Sequence, residues 1–226
     1  MLRFEDYVKR YGQKVILEVD RLEWAPGLHL LIGPNGGGKT TLLKSLAGII
    51  PYKGSINLDG VGDLRSHPRE QRQKINHVAA EPIFPDFLSG EHLVEFYQRV
   101  KGGNADQVAR IRQSLSIGDY LDQKVGSYST GMKKKLALLL AWLGQPEWVL
   151  LDEPFTGLDP EAQEGLMQLI EQGLSDGINV VSASHQTVWL THHLDIAYWR
   201  VDEGKVESLD AEQARDWLQL LQNAEL

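Results

Sequence analysis

The sequence predicts an α/β protein with a mostly parallel sheet, an antiparallel β region near the N-terminus and an inserted helical segment. Two observations carry the parallel sheet and the insertion. Short apolar runs end in glycine or acidic residues and are followed by helical patterns, as in strands that alternate with helices. These runs lie on both sides of a stretch from about Pro85 to Leu143 whose periodicity is helical and which has few β-branched runs. A chain of 226 residues holds one sizeable core, or one core with an inserted subdomain.

Leu28-His29-Leu30-Leu31-Ile32 reads as a buried strand, followed by a glycine-rich turn and a helix from Lys39 to about Ala47. Ser55 to Leu58 reads as a strand that turns at Asp59-Gly60. Glu91 to Val100, Asp106 to Leu115 and Met132 to Leu143 each repeat apolar residues at helical spacing. Trp148 to Leu151 and Asn179 to Ala183 are two further buried strands. Ala197 to Val201 and Lys205 to Ser208 flank Glu203-Gly204 as a hairpin. Asp210 to Leu221 forms an amphipathic helix with Asp210 as its cap.

Composition excludes several classes. The chain has no cysteine, so disulfides and thiolate metal sites are ruled out. With 23 basic and 31 acidic residues the net charge is −8, and no nucleic-acid partner is expected. Met1 to Asp6 hold no apolar stretch of signal-peptide length, and no window approaches about 18 apolar residues. A cytoplasmic location is expected, with any membrane work done through a partner. Adjacent His192 and His193 point to different helix faces and are read as structural, not as a metal site.

Gly33-Pro34-Asn35-Gly36-Gly37-Gly38-Lys39-Thr40 fits the phosphate-loop pattern G-x-x-x-x-G-K-[ST] and lies between a strand and a helix. Glycines let successive backbone N–H groups converge on phosphate oxygens. The helix N-terminus adds its positive dipole end. Lys39 brings a full charge to the outer phosphates, Thr40 a hydroxyl to Mg²⁺, and Thr41 another hydroxyl to a phosphate. Leu150-Leu151-Asp152-Glu153 puts two carboxylates at the end of a buried strand, the edge where open α/β sheets bind ligands. Asp152 suits Mg²⁺, held through water, and Glu153 suits the orientation or deprotonation of an attacking water.

With these elements the chain resembles the ABC ATPase family over nearly its whole length. Tyr128-Ser129-Thr130-Gly131-Met132 is similar to that family's Leu-Ser-Gly-Gly-Gln signature, matching it at Ser129 and Gly131. The Tyr-Ser-x-Gly-Met form resembles ATPases of the ABC-2 exporter type. The resemblance implies a P-loop NTPase fold within a single domain, 1–226. It divides into a nucleotide-binding core, 1–84 and 145–226, and a helical signature subdomain, 85–144. It implies that Ser129 and Gly131 meet the γ-phosphate and that Asp159, in Thr156-Gly157-Leu158-Asp159, belongs to the loop coupling two sites. His185 resembles the switch histidine on the γ-phosphate, and Tyr11 the aromatic that stacks on adenine, with Phe4 and Tyr7 nearby.

The implied function is that of the ATP-hydrolysing subunit of a membrane transporter. Its cofactors are ATP and Mg²⁺, its partner is a transmembrane permease subunit, and its place is the cytoplasmic face of the membrane. Two copies, or this chain and a relative, sandwich two ATP molecules. The alternative is a soluble ATPase of this family in an assembly or repair complex. Pro82 to Phe87, with Phe96 and Tyr97, either offer a docking groove or fill the helical core. One departure stands out: Ala80 occupies the position where the family usually carries Gln. Either Glu81 substitutes after a one-residue shift or that contact is absent, and hydrolysis is expected to be reduced but not abolished.

Overall fold

The computed structural model describes residues 1–190 and 194–224, and the side chains of all of these except 187, 190 and 222–224. His192 and His193 therefore lie outside the described residues. In chain order the elements are β1 (Leu2–Tyr11), β2 (Lys14–Trp24), β3 (Leu28–Ile32), α1 (Lys39–Leu46), β4 (Lys53–Leu58), β5 (Gly62–Asp63), α2 (Pro68–Lys74) and β6 (Ile75–Val78). There follow α3 (Gly90–Lys101), α4 (Ala105–Ser114), α5 (Thr130–Ala141), β7 (Trp148–Asp152), α6 (Pro160–Ser175), β8 (Asn179–Ala183), β9 (Ile196–Asp202), β10 (Lys205–Leu209) and α7 (Ala211–Ala224). Short 3-10 turns cover Val125–Ser127 and Thr187–Leu190.

The strands form two sheets. One is antiparallel, in the order β2-β1-β4-β5; the other has the order β10-β9-β3-β8-β7-β6. In the second sheet β9, β3, β8, β7 and β6 run parallel, and β10 closes one edge as the antiparallel arm of a hairpin. All five residues of β3 and of β7 are buried. That is the condition of strands covered on both faces, and it explains why they are mainly apolar, His29 and Asp152 excepted.

Helix starts follow local chemistry. Ser89, Asn104, Ser129 and Asp159 sit at the N-caps of α3, α4, α5 and α6, each accepting a backbone N–H. Asp210 accepts from the N–H groups of Glu212 and Gln213, while Gln213 Oε1 accepts from Asp210 N, so α7 opens with a reciprocal cap. Each cap contributes about 1 kcal/mol.

Among the described residues no strand lies between Val78 and Trp148, so the middle of the chain is helical as expected. The apolar core nevertheless runs through it without a break. Leu93, Ile111 and Leu139 belong to the same buried cluster as Leu151 and Leu166. Leu136 through Leu143 are all buried, each leucine contributing about 1.5–3 kcal/mol of transfer free energy. Phe84 and Tyr97 pack against this core, as the core-filling alternative expects, whereas Ile83, Phe87 and Phe96 are exposed.

Candidate nucleotide site

Strand register brings the site together. Leu31 of β3 pairs with Ala183 of β8, and Ala183 pairs with Asp152 of β7. Three segments far apart in sequence therefore end in one row, and the chain beyond β3, β7 and β8 carries the phosphate loop, Glu153 and His185 respectively.

The loop from Gly33 to Gly38 leads into α1, whose first residue is Lys39. Gly38 has φ +113, a region L side chains rarely adopt, and a Cβ there would press on Leu17. A Cβ at Gly37 would lie 2.6 Å from the Val201 carbonyl oxygen. Hence β9 presses on the loop from outside. The Lys39 ammonium donates to the carbonyls of Gly33 at 2.6 Å and Pro34 at 3.1 Å, folding the lysine over its own loop. Thr41 O accepts from the Ser45 hydroxyl, which is also hydrogen-bonded to Tyr7. A cavity of about 920 Å³ reaches Asn35, Gly36 and Gly37 and is walled by Val15, Ile16 and the β9–β10 turn.

The Thr40 hydroxyl donates to Asp152 Oδ1 at 3.1 Å, tying α1 to the end of β7. Burial pushes the Asp152 carboxyl above the usual range. The Thr40 hydroxyl, then Lys134, Lys39 and Lys44, pull it back. Glu153 has φ +45, a left-handed backbone uncommon outside glycine, asparagine and aspartate. Its Oε1 lies 2.9 Å from His185 Nδ1, and its N–H donates to Ala183 O. Phe155 and Trp189 meet edge to face at 5.2 Å, joining the chain after Glu153 to the chain after His185. Asp152 Oδ2 and Glu153 Oε2 are both buried without a hydrogen-bond partner.

A second cluster forms at the head of α5. Ser129 is exposed, and its Oγ accepts the Met132 N–H. A Cβ on Gly131 would stand 2.7 Å from the Gly157 carbonyl oxygen, so α5 and the turn before α6 touch closely. Asp159 uses one oxygen to cap α6 and pairs the other with Lys135 at 2.6 Å. Tyr11, at the end of β1, is 51 % exposed with the Lys9 ammonium over its ring, whereas Phe4 and Tyr7 are fully buried. Of these three aromatics, only Tyr11 has a face open to a ligand.

One residue was absent from the reading of the sequence. Lys134 of α5 is 1 % exposed and donates to the carbonyls of Ala79, Ala80 and Asp152. Burial pulls its ammonium down to about 8, against the opposing pull of Asp152, Glu153 and Glu81. Glu81 itself is exposed. The available signal was spacing: Lys134, Leu138 and Ala141 recur at i, i+4 and i+7, one face of a helix.

The fold is that of a P-loop nucleotide-binding cassette. The profile of the ABC transporter family matches residues 24–156, and the chain belongs to that family. It is an ATP-binding and ATP-hydrolysing subunit. It is 29 % identical over 208 residues to the lantibiotic transport ATP-binding protein SrtF of Streptococcus pyogenes, covering 91 % of this chain and 89 % of that one. It is 34 % identical over 212 residues to the Nod factor export ATP-binding protein I of Burkholderia pseudomallei strain 1710b, covering 89 % and 68 %. A solved ATP-binding subunit of an ABC transporter superposes with a TM-score of 0.84 at 23 % identity, covering 97 % and 93 %. The dimeric post-hydrolysis state of the cassette MJ0796, bound to ADP and Pi, gives 0.76 at 21 % identity, covering 92 % and 97 %.

Proposed function

We propose that this chain drives export across a membrane by ATP-dependent closure of a cassette dimer against a membrane-spanning partner. The observation that carries the catalytic part is the pair of buried, unpartnered oxygens on Asp152 and Glu153, beside a hydroxyl and a phosphate loop. Such atoms are costly to bury unless a ligand meets them.

The Gly33–Thr41 segment cradles the phosphates of ATP, Lys39 exchanging its carbonyl partners for phosphate oxygens. Thr40 and Asp152 form a hard oxygen donor set that fits Mg²⁺, which supplies neutralisation of phosphate charge when bound. Glu153 takes the proton of the attacking water while the γ-phosphorus–oxygen bond to ADP breaks. His185 orients Glu153 through their hydrogen bond and reaches the γ-phosphate. Tyr11 stacks on adenine. Ser129 and Gly131 are offered to the γ-phosphate of the other subunit, with the α5 N-terminus behind them. Asp159 relays between subunits as part of the turn before α6. ATP binds the closed dimer better, and hydrolysis reverses that preference.

Docking of the partner falls to a groove of about 610 Å³ between core and helical segment, where Ile49, Ile83, Phe96 and Val100 are exposed beside Phe84 and Tyr97. An amphipathic helix of a permease fits such a surface. Among the described residues no helix is long and apolar enough to cross a membrane. The names of the relatives, transport and export ATP-binding proteins, support this reading over an assembly or repair role.

Glu153→Gln should keep ATP affinity, lose turnover by about 10²–10⁴, and accumulate as a dimer in size-exclusion chromatography with ATP. A monomer at saturating ATP overturns the sandwich. The same variant captured from detergent-solubilised membranes should bring down a multi-span protein; recovery of soluble partners alone overturns the transporter reading and leaves the ATPase intact. If Ala80→Gln and Glu81→Ala both leave turnover unchanged, the loop after β6 lends no side chain to the chemistry.

A further inference from the structure

We propose that Lys134 is a positioning residue for hydrolysis: its ammonium pins the loop after β6 to the carboxyl end of β7, and so fixes the backbone that carries Asp152 and Glu153. The inference rests on the reading that those two carboxylates serve ATP cleavage.

β6 and β7 are parallel neighbours, with Val78 opposite Leu151, so the loop at Ala79 and Ala80 leaves the sheet beside Asp152. Ala80 has no side chain able to bridge to the strand end. Lys134 closes that gap from the side, with bonds of 3.1 Å to Ala79 O, 2.7 Å to Ala80 O and 3.3 Å to Asp152 O. Two segments thus share one cation, which uses all three of its N–H donors on backbone carbonyls. Packing alone gives no reason for lysine here, since a methionine fills similar volume without the cost of burying a charge. The charged groups around it are Asp152 and Glu153 from β7 and its end, and Glu81 from the loop; His77 of β6 feels its field from the other side.

Purified wild type, Lys134→Met, Lys134→Gln and Lys134→Arg are compared for ATP turnover, KM and amide hydrogen exchange. Loss of the pin should lower kcat of Lys134→Met about tenfold or more, since small misplacements of reacting groups carry such penalties. KM should move less than about twofold, because the phosphate loop is untouched. Exchange should quicken at the amides of 79–81, 153, 155 and 156 and not at those of 35–42. Lys134→Arg should restore part of kcat, and Lys134→Gln, which keeps a donor, should lie between. A kcat for Lys134→Met equal to wild type, or kcat falling only with the folded fraction, overturns the proposal. Failure of both Met and Gln variants to fold assigns Lys134 to stability and overturns it too. If the wild type hydrolyses no ATP, the ATPase reading fails instead, and the exchange pattern still decides whether the pin exists.

Discussion

Gly131→Ala tests the contact between α5 and the turn before α6. Alanine is the better helix former by about 1 kcal/mol. Its Cβ would stand 2.7 Å from Gly157 O, where ordinary contact begins at 3.4 Å, so the two segments must part by 3.4 − 2.7 = 0.7 Å. The obstacle is backbone and cannot rotate away. Overpacking of this kind costs about 1–3 kcal/mol, so net stability should fall by roughly 0–2 kcal/mol and the chain should stay folded at 25 °C. Turnover is the sensitive readout. Ser129 and residue 131 would reach the opposite γ-phosphate displaced by a fraction of an ångström, which costs about ten- to a hundredfold in rate. ATP binding to the monomer should remain within about twofold, because the phosphate loop does not move. The assays are phosphate release at saturating ATP, nucleotide titration of the monomer, and urea unfolding. Turnover and dimerisation equal to wild type would refute the reasoning, since the close contact would then carry no positional demand.

Trp199→Phe removes the indole N–H that donates to His29 Nδ1 at 3.0 Å, leaving a buried acceptor unpaired. The urea midpoint should drop by the equivalent of about 1–3 kcal/mol with no change in slope. Acid should destabilise the fold through His77 and His29. Burial pulls His77 down to about 4 and His29 below its ordinary value, so both are neutral when folded and take up a proton more readily when unfolded. Stability is therefore full above about 6.5, falls as pH drops through 6 and 5, and His77's share levels off near 4. His77→Leu should flatten the midpoint-versus-pH curve in that window. Gly165→Ala places a Cβ against the Ser114 carbonyl and forces α4 away from α6. Despite the gain in helix propensity it should destabilise by about 1–3 kcal/mol in thermal or urea unfolding.

The parallel sheet was legible because β3, β7 and β8 are almost wholly buried and read as short, mainly apolar runs bounded by turn or acidic residues. The N-terminal sheet was expected and its β4 was read as Ser55 to Leu58, but β1 and β2 were not delimited, and the reason lies in β1. Leu2 and Phe4 are buried in alternation. Asp6 then takes φ +48, the register slips, and burial resumes at Tyr7 and Lys9 on the other parity. Period-two reading fails across such a bulge. α2 is a proline followed by six polar residues, with only Gln71 buried, so periodicity has nothing to act on. The phosphate loop and the Asp152-Glu153 pair could be read because their spacing is local. For Lys134 the helical spacing marks only a buried face; its partners are backbone carbonyls, which carry no sequence signal of their own. Asp159 was assigned to nucleotide coupling by resemblance alone; its work as the cap of α6 and partner of Lys135 appears only in three dimensions.

The position of β3 has a consequence for how the chain is made. Its neighbours β8 and β9 begin at Asn179 and Ile196, against Leu28 for β3 itself. During synthesis the strand leading into the phosphate loop emerges well before its partners and stays without both until residues 179–202 have left the ribosome. Until then its edges are open to wrong pairing. A ribosome-stalled product ending before Asn179 should be recognised by chaperones and remain blind to ATP, and the ability to bind nucleotide should arrive late and all at once.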